Sequence, residues 1–147
     1  MKETNVRRKL GTELRKLRFH VSQIESHATS AGIPDTHYFG HSTDGFIELK
    51  VAKVNGAIEV RNTQKAWFRD RIKVGGYHQY FLIGKDVDGT PSYVLIRVKE
   101  FNMDSVLSEN FTWNVALLNA PAVWVDSINY NELARIITEE KIEWKTR

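Results

Sequence analysis

Apolar residues first recur at helical spacing near the start of the chain. Val6, Leu10, Leu14 and Leu17 form one stripe, with Arg8, Lys9, Arg15 and Lys16 mostly outside it, and the pattern predicts a helix over residues 3–18. The periodicity then changes to two. Phe19 to Ile24 alternates as a strand, Thr36 to Phe39 reads as a second, and Phe46 to Val51 as a third, with Gly40 to Gly45 forming a turn of hairpin size. In the third strand Ile47, Leu49 and Val51 point to one face, and Phe46, Glu48 and Lys50 to the other. After a turn near Asn55-Gly56, Asn62 or Thr63 is placed to cap a helix from Gln64 to Val74, stopped by Gly75-Gly76. Its Trp67, Phe68, Arg71 and Ile72 are spaced to pack on a sheet.

Tyr77 to Ile83 and Tyr93 to Val98 read as strands joined by a loop over residues 84–92. Asp86 and Asp88 in that loop do not make an EF-hand, because the later glutamate and the flanking helices are missing. Beyond Phe101 the pattern predicts a short helix over Met103–Leu107, a strand over Ala122–Val125, and a terminal helix over Asn131–Trp144 started by Asn129 or Asn131. Trp113, Trp124 and Trp144 are expected in the core or at a dimer contact.

The chain has 147 residues, 41% of them hydrophobic, which suits one domain over residues 1–147 with a complete core. No apolar run approaches the length of a membrane span, and the basic N-terminus lacks a signal-peptide core. Cysteine is absent, which excludes disulfides and thiolate zinc sites and fits a cytoplasmic location. Charge changes the picture more. Residues 1–20 hold seven Lys/Arg and two Glu, a net +5 against −2 for the remainder. Such a basic end suits a polyanion, although a solvated helix face carries the same signal.

Three acids stand out. Asp35 follows Pro34, which sets the backbone just before it. Glu48 and Lys50 are neighbours on one strand face, as a surface ion pair or as part of a site. A hairpin of this size can bring Asp35 to Glu48. Two converging carboxylates repel unless a proton or a cation lies between them, and few oxygen ligands favour Mg²⁺ or Mn²⁺. Glu13 projects along the edge of the first helix's apolar stripe, where it either snorkels past the core or points at something cationic. Gln64 lies in the first turn of its helix, exposed or reaching across the strand ends. His27, His37 and His41 have no zinc-ligand spacing.

The ordered set Glu13, Pro34-Asp35, Glu48-x-Lys50 and Gln64 resembles the PD-(D/E)XK nuclease superfamily. More narrowly, Ala31 to Asp35, Ile47 to Lys50 and Gln64 look like the VRR-NUC group of bacteriophage and repair nucleases, which shares its core with the archaeal-type Holliday-junction resolvases. The likeness covers residues 12–83. It implies an α/β, restriction-endonuclease-like core, a central mixed sheet flanked by helices. It also implies a Mg²⁺- or Mn²⁺-dependent DNA endonuclease for branched DNA, with a nicking or restriction-like enzyme on plain duplex, or a non-catalytic binding protein, as alternatives. Asp35, Glu48 and the Leu49 carbonyl would hold the metal, Lys50 would orient water, and Glu13 and Gln64 would complete the rim. Arg7, Arg8, Lys9, Arg15 and Lys16 would bind phosphates without reading bases. A homodimer, and the host cytoplasm if the chain is phage-encoded, follow from the same likeness.

Overall fold

A computed structural model describes residues 3–24 and 32–139. Its elements, in chain order, are α1 (Glu3–Lys16), β1 (His20–Gln23), β2 (Thr36–Gly40), β3 (Thr43–Val51), α2 (Asn62–Lys73), β4 (Gln79–Val87), β5 (Thr90–Arg97), α3 (Met103–Val106), α4 (Trp113–Asn119), β6 (Ala122–Val125) and α5 (Tyr130–Ile137). The strands form one six-stranded sheet in sequential order. Only β3 and β4 run parallel, because α2 carries the chain back between them; the other neighbours are antiparallel. The chain is thus α/β, with a mixed sheet flanked by helices.

The alternation in β3 divides the core as expected. Ile47 and Leu49 join Tyr38, Tyr80 and Leu82 beneath the α1 stripe of Val6, Leu10 and Leu14 and beneath Leu133, Ala134 and Ile137 of α5. On the other face Phe81, Ile83, Val94 and Ile96 pack against Phe68 of α2 and Trp113 and Ala116 of α4. Val51 runs past the sheet's cover and is half exposed. Trp113 and Trp124 are both buried in the core of the domain. The predicted terminal helix starts at Tyr130 and ends at Ile137, where Thr138 caps it and Glu139 turns to φ 50°; Trp144 and the other residues beyond Glu139, His27 and Ala31 lie outside the described residues.

Both expected loops are shorter than their turn-forming residues suggest. The β2–β3 turn is His41-Ser42, both at positive φ (51° and 64°). The β4–β5 turn is Asp88-Gly89 (53° and 85°), so the strands continue through residues 84–92. Two residues at positive φ match the right-handed strand twist, which is why such short hairpins are stable. Gly45 therefore lies inside β3 and has a different task. It pairs with Tyr38, whose ring crosses it, and a Cβ there would come 2.2 Å from the Tyr38 hydroxyl oxygen. That hydroxyl donates to the Ile137 carbonyl at 2.6 Å and ties the hairpin to α5. Gly45→Ala is expected to displace the ring and cost about 1–3 kcal/mol, read from a urea titration.

α1 stops at Lys16, two residues short of the predicted end, where Arg18 turns to φ 68°. β1 starts at His20, because the Phe19 N–H still bonds back to the Leu14 carbonyl of α1 at 3.0 Å. α2 begins at Asn62, with Arg61 in the cap position. The helix α4, capped by the Thr112 side chain, has no counterpart in the sequence reading. Its seven residues are too few for the periodicity to register.

Candidate functional site

Asp35 sits in the bend before β2, and β2 pairs with β3 so that Thr36 faces Ile47. Asp35 is thereby carried to Glu48, and its own N–H donates to Glu48 Oε1 at 2.9 Å. Asp35 Oδ2 accepts the Leu49 N–H at 3.1 Å, and Oδ1 lies 3.0 Å from the Thr36 hydroxyl. In an extended strand the N–H and C=O of one residue point to the same edge, so the Leu49 carbonyl is directed to the Asp35 side of β3.

The second half of the site comes from α2. Gln64 is almost fully buried in the first turn of this helix. Its Nε2 donates to Glu48 Oε2 at 2.8 Å, and its Oε1 accepts from Lys50 Nζ at 2.7 Å. Lys50 Nζ also lies 3.2 Å from Glu48 Oε2, with both side chains mostly shielded from water. Gln64 Oε1 is 3.4 Å from the Arg61 N–H, which it helps to satisfy at the helix start. Gly32 fastens the approach to Asp35. At φ +74° it presses on the Thr63 carbonyl so closely that a Cβ would come 2.2 Å from that oxygen.

Burial, and then the charge of Glu48, push the Asp35 carboxyl up to about 7. The Leu49 N–H, the Thr36 hydroxyl and the charge of Arg7 act in the opposite direction. Because the folded value lies above that of an unfolded aspartate, about 3.9, the folded state binds the extra proton between the two. The stability contributed by that proton is complete below about pH 4 and is lost as pH rises through 7. Without divalent ions, wild type should therefore lose on the order of 1–3 kcal/mol relative to Asp35→Asn between about pH 4.5 and 8. Urea titrations in EDTA across that range measure the difference, and a flat difference would refute the coupling.

Asp35, Glu48, Leu49, Lys50 and Gln64 thus converge, while Glu13 is engaged elsewhere. Its carboxylate pairs with Lys16 at 3.0 Å and accepts from Asn131 of α5 at 3.5 Å. The Lys16 hydrogen bond holds it below the ordinary glutamate range. This is a correction to the expected rim role, and its cause is geometric. Glu13 sits with α5, and α1 and α5 cover the face of the sheet opposite Glu48 and Gln64. The α1 side chain whose charge reaches Asp35 is the half-buried Arg7, six residues earlier. The sequence offers little signal for this beyond the position of Arg7 beside the apolar stripe.

Arg8, Lys9, Arg15 and Lys16 are exposed on α1, with Lys9 Nζ 5.7 Å from the centre of the Tyr130 ring and Arg15 folded over Gly11. α2 is also basic, carrying Lys65, Arg69, Arg71 and Lys73 against Asp70, and it borders the site directly.

The donor set suits a hard divalent cation. Mg²⁺ is commonly held by one or two carboxylates and keeps several waters, so Asp35, Glu48 and one carbonyl suffice. Among the described residues no cluster of three or more His, Cys, Asp or Glu is arranged to hold a metal, so the carboxylate pair stands without a third such ligand. A buried Glu48 and a partly buried Asp35, with Lys50 paired to Glu48, leave negative charge that a cation would offset. No family model matches the chain, and no curated protein is significantly similar to it.

Proposed function

We propose that the chain is a Mg²⁺- or Mn²⁺-dependent DNA endonuclease with a restriction-endonuclease-like core. The observation that carries this reading is the pair of carboxylates, Asp35 and Glu48, with Lys50 hydrogen-bonded between Glu48 and Gln64. A structural ion pair needs one acid and one base. A second, largely buried acid beside it costs stability unless it serves binding or chemistry.

Asp35, Glu48 and the Leu49 carbonyl would hold the cation, which when bound supplies Lewis acidity toward a phosphate oxygen and an acidified water. The chain's own groups do the rest. Gln64 fixes the side chains of Glu48 and Lys50 through its two amide ends. Lys50, a compact cation, orients the attacking water and offsets the charge that develops on the phosphate. Arg7 adds positive charge from the α1 side. The exposed bases of α1 and α2 bind backbone phosphates, giving salt-sensitive affinity with little sequence preference.

Branched or structured DNA is the substrate implied by the likeness to Holliday-junction resolvases, and two symmetric cuts would call for a homodimer. Among the described residues no helix is long and apolar enough to cross a membrane; a cytoplasmic site of action belongs to the same proposal. The test is a panel of four-way junction, flap, plain duplex and single-stranded DNA, each with Mg²⁺, Mn²⁺ or EDTA. Cleavage that needs the divalent ion and favours the junction is expected. No cleavage of any substrate, or undiminished cleavage in EDTA, would overturn the reading.

A further inference from the structure

One row along from the carboxylate pair, the same face of the sheet carries a second cluster. β3 presents Phe46 two residues before Glu48, and β2 presents His37 opposite Phe46. From α2 come Trp67 and Arg71, Arg71 lying two turns after Gln64 and so on the same side of the helix. The Arg71 guanidinium carbon is 4.8 Å from the centre of the Phe46 ring and 5.4 Å from that of Trp67. The two rings meet edge to face at 4.8 Å, and His37 stacks on Phe46 at 4.5 Å. Asp44, at the end of the hairpin, accepts from Arg71 Nη2 at 3.4 Å and lies 2.9 Å from His37 Nε2.

The arrangement holds a guanidinium still without using up its donors. Two aromatic rings set its plane, whereas its bond to Asp44 is single, long and well exposed, the kind of surface pair worth little. Arg71 retains about a third of its side-chain exposure, and four of its five N–H groups have no recorded acceptor among the described residues. Phe46 is buried between Arg71 and His37, so that ring offers no free face to a nucleobase. What remains is a pre-oriented fork of N–H donors suited to a phosphate.

We propose that Arg71, with Phe46 and Trp67 as its clamp, is a phosphate-binding arm that engages the nucleic-acid backbone beside the catalytic cluster. Two strand residues and two helix turns set it about 7–10 Å from Glu48 and Gln64, the span of two to three nucleotides along one strand. Asp44 opposes this binding by its charge. The inference rests on the nuclease reading for the identity of the strand, not for the geometry of the arm.

The experiment measures binding of a duplex with a four-way junction in EDTA, where no cleavage is needed, over a series of salt concentrations. Arg71→Gln should weaken binding about tenfold, and the slope of log affinity against log salt should shrink by about one phosphate's worth, ~0.9. Asp44→Asn should tighten binding a few-fold. Arg71→Lys should keep the slope yet recover only part of the affinity, because an ammonium lacks the planar fork. A merely structural Arg71 would lower the melting temperature and leave the slope unchanged, and that result in a folded variant overturns the proposal. Weaker binding by Asp44→Asn would also overturn it. If wild type binds and cleaves DNA but Arg71→Gln behaves as wild type, only the arm fails. If wild type neither binds nor cleaves, the nuclease reading and the arm both fail.

Discussion

Lys50→Ala should lose cleavage by at least ~10²–10³-fold while binding DNA within about threefold of wild type. The side chain lies 16% exposed between Glu48 and Gln64, where low local dielectric strengthens its charge. Removing it takes away the one cation that contacts both side chains, and nothing else in the described residues occupies that gap. Binding should survive, because the proposed phosphate contacts are made by the exposed bases of α1 and α2 and not by Lys50. Lys50→Arg should not rescue activity, since a planar guanidinium does not fit where one ammonium bridges two acceptors. Glu13→Gln is the matched control. Its carboxylate serves Lys16 and Asn131, so cleavage within about threefold of wild type is expected. Gel assays of cleavage with Mg²⁺ and of binding in EDTA separate the two effects. Wild-type cleavage by Lys50→Ala would sink the mechanism.

Gly32→Ala should be the most damaging single methyl in the chain outside the catalytic side chains. The left-handed conformation alone costs a non-glycine residue about 1 kcal/mol. Here the added carbon would also stand 2.2 Å from the Thr63 oxygen and 2.4 Å from its carbonyl carbon. Those are backbone atoms at the start of α2, so no side chain can swing aside. The chain must move either the approach to Pro34-Asp35 or the helix that carries Gln64, and each movement separates the site's two halves. A loss of about 3 kcal/mol or more and a fall in cleavage beyond ~10²-fold are expected. Gly75→Ala isolates the strain term, because Gly75 has φ +93° with nothing within 4 Å of the added carbon. It should cost about 1 kcal/mol and leave cleavage unchanged. Equal melting temperatures for the two variants would show that the contact at Gly32 is not tight.

Gln64 shows how differently the two halves of the site could be read. Its position just after the capping candidates Asn62 and Thr63 marks it as a helix-start glutamine, which is an exposed side chain in most settings. Burial and bonding to Glu48, Lys50 and the Arg61 N–H follow only because α2 crosses the sheet at this point.

The amino-acid sequence alone determined the elements whose periodicity is long, and with them the partition of β3. Alternation places Glu48 and Lys50 on one side whatever the rest of the chain does, because successive strand side chains point to opposite faces. Pro34 likewise directs an extended approach to Asp35. Only the tertiary structure decided which α1 side chain has its charge felt at Asp35. Glu13 and Arg7 both border the apolar stripe, and the choice depends on how α1 lies against α5, where Asn131 captures Glu13. It also decided the duties of the glycines. Gly45 resembles a turn residue until Tyr38 is found lying across it, and Gly32 resembles a loop residue until Thr63 is found beneath it. Helix periods and strand alternation are local and repeat, so a chain displays them. The approach of Gly32 to Thr63, 31 positions apart, is a single long-range contact, and no local pattern encodes it.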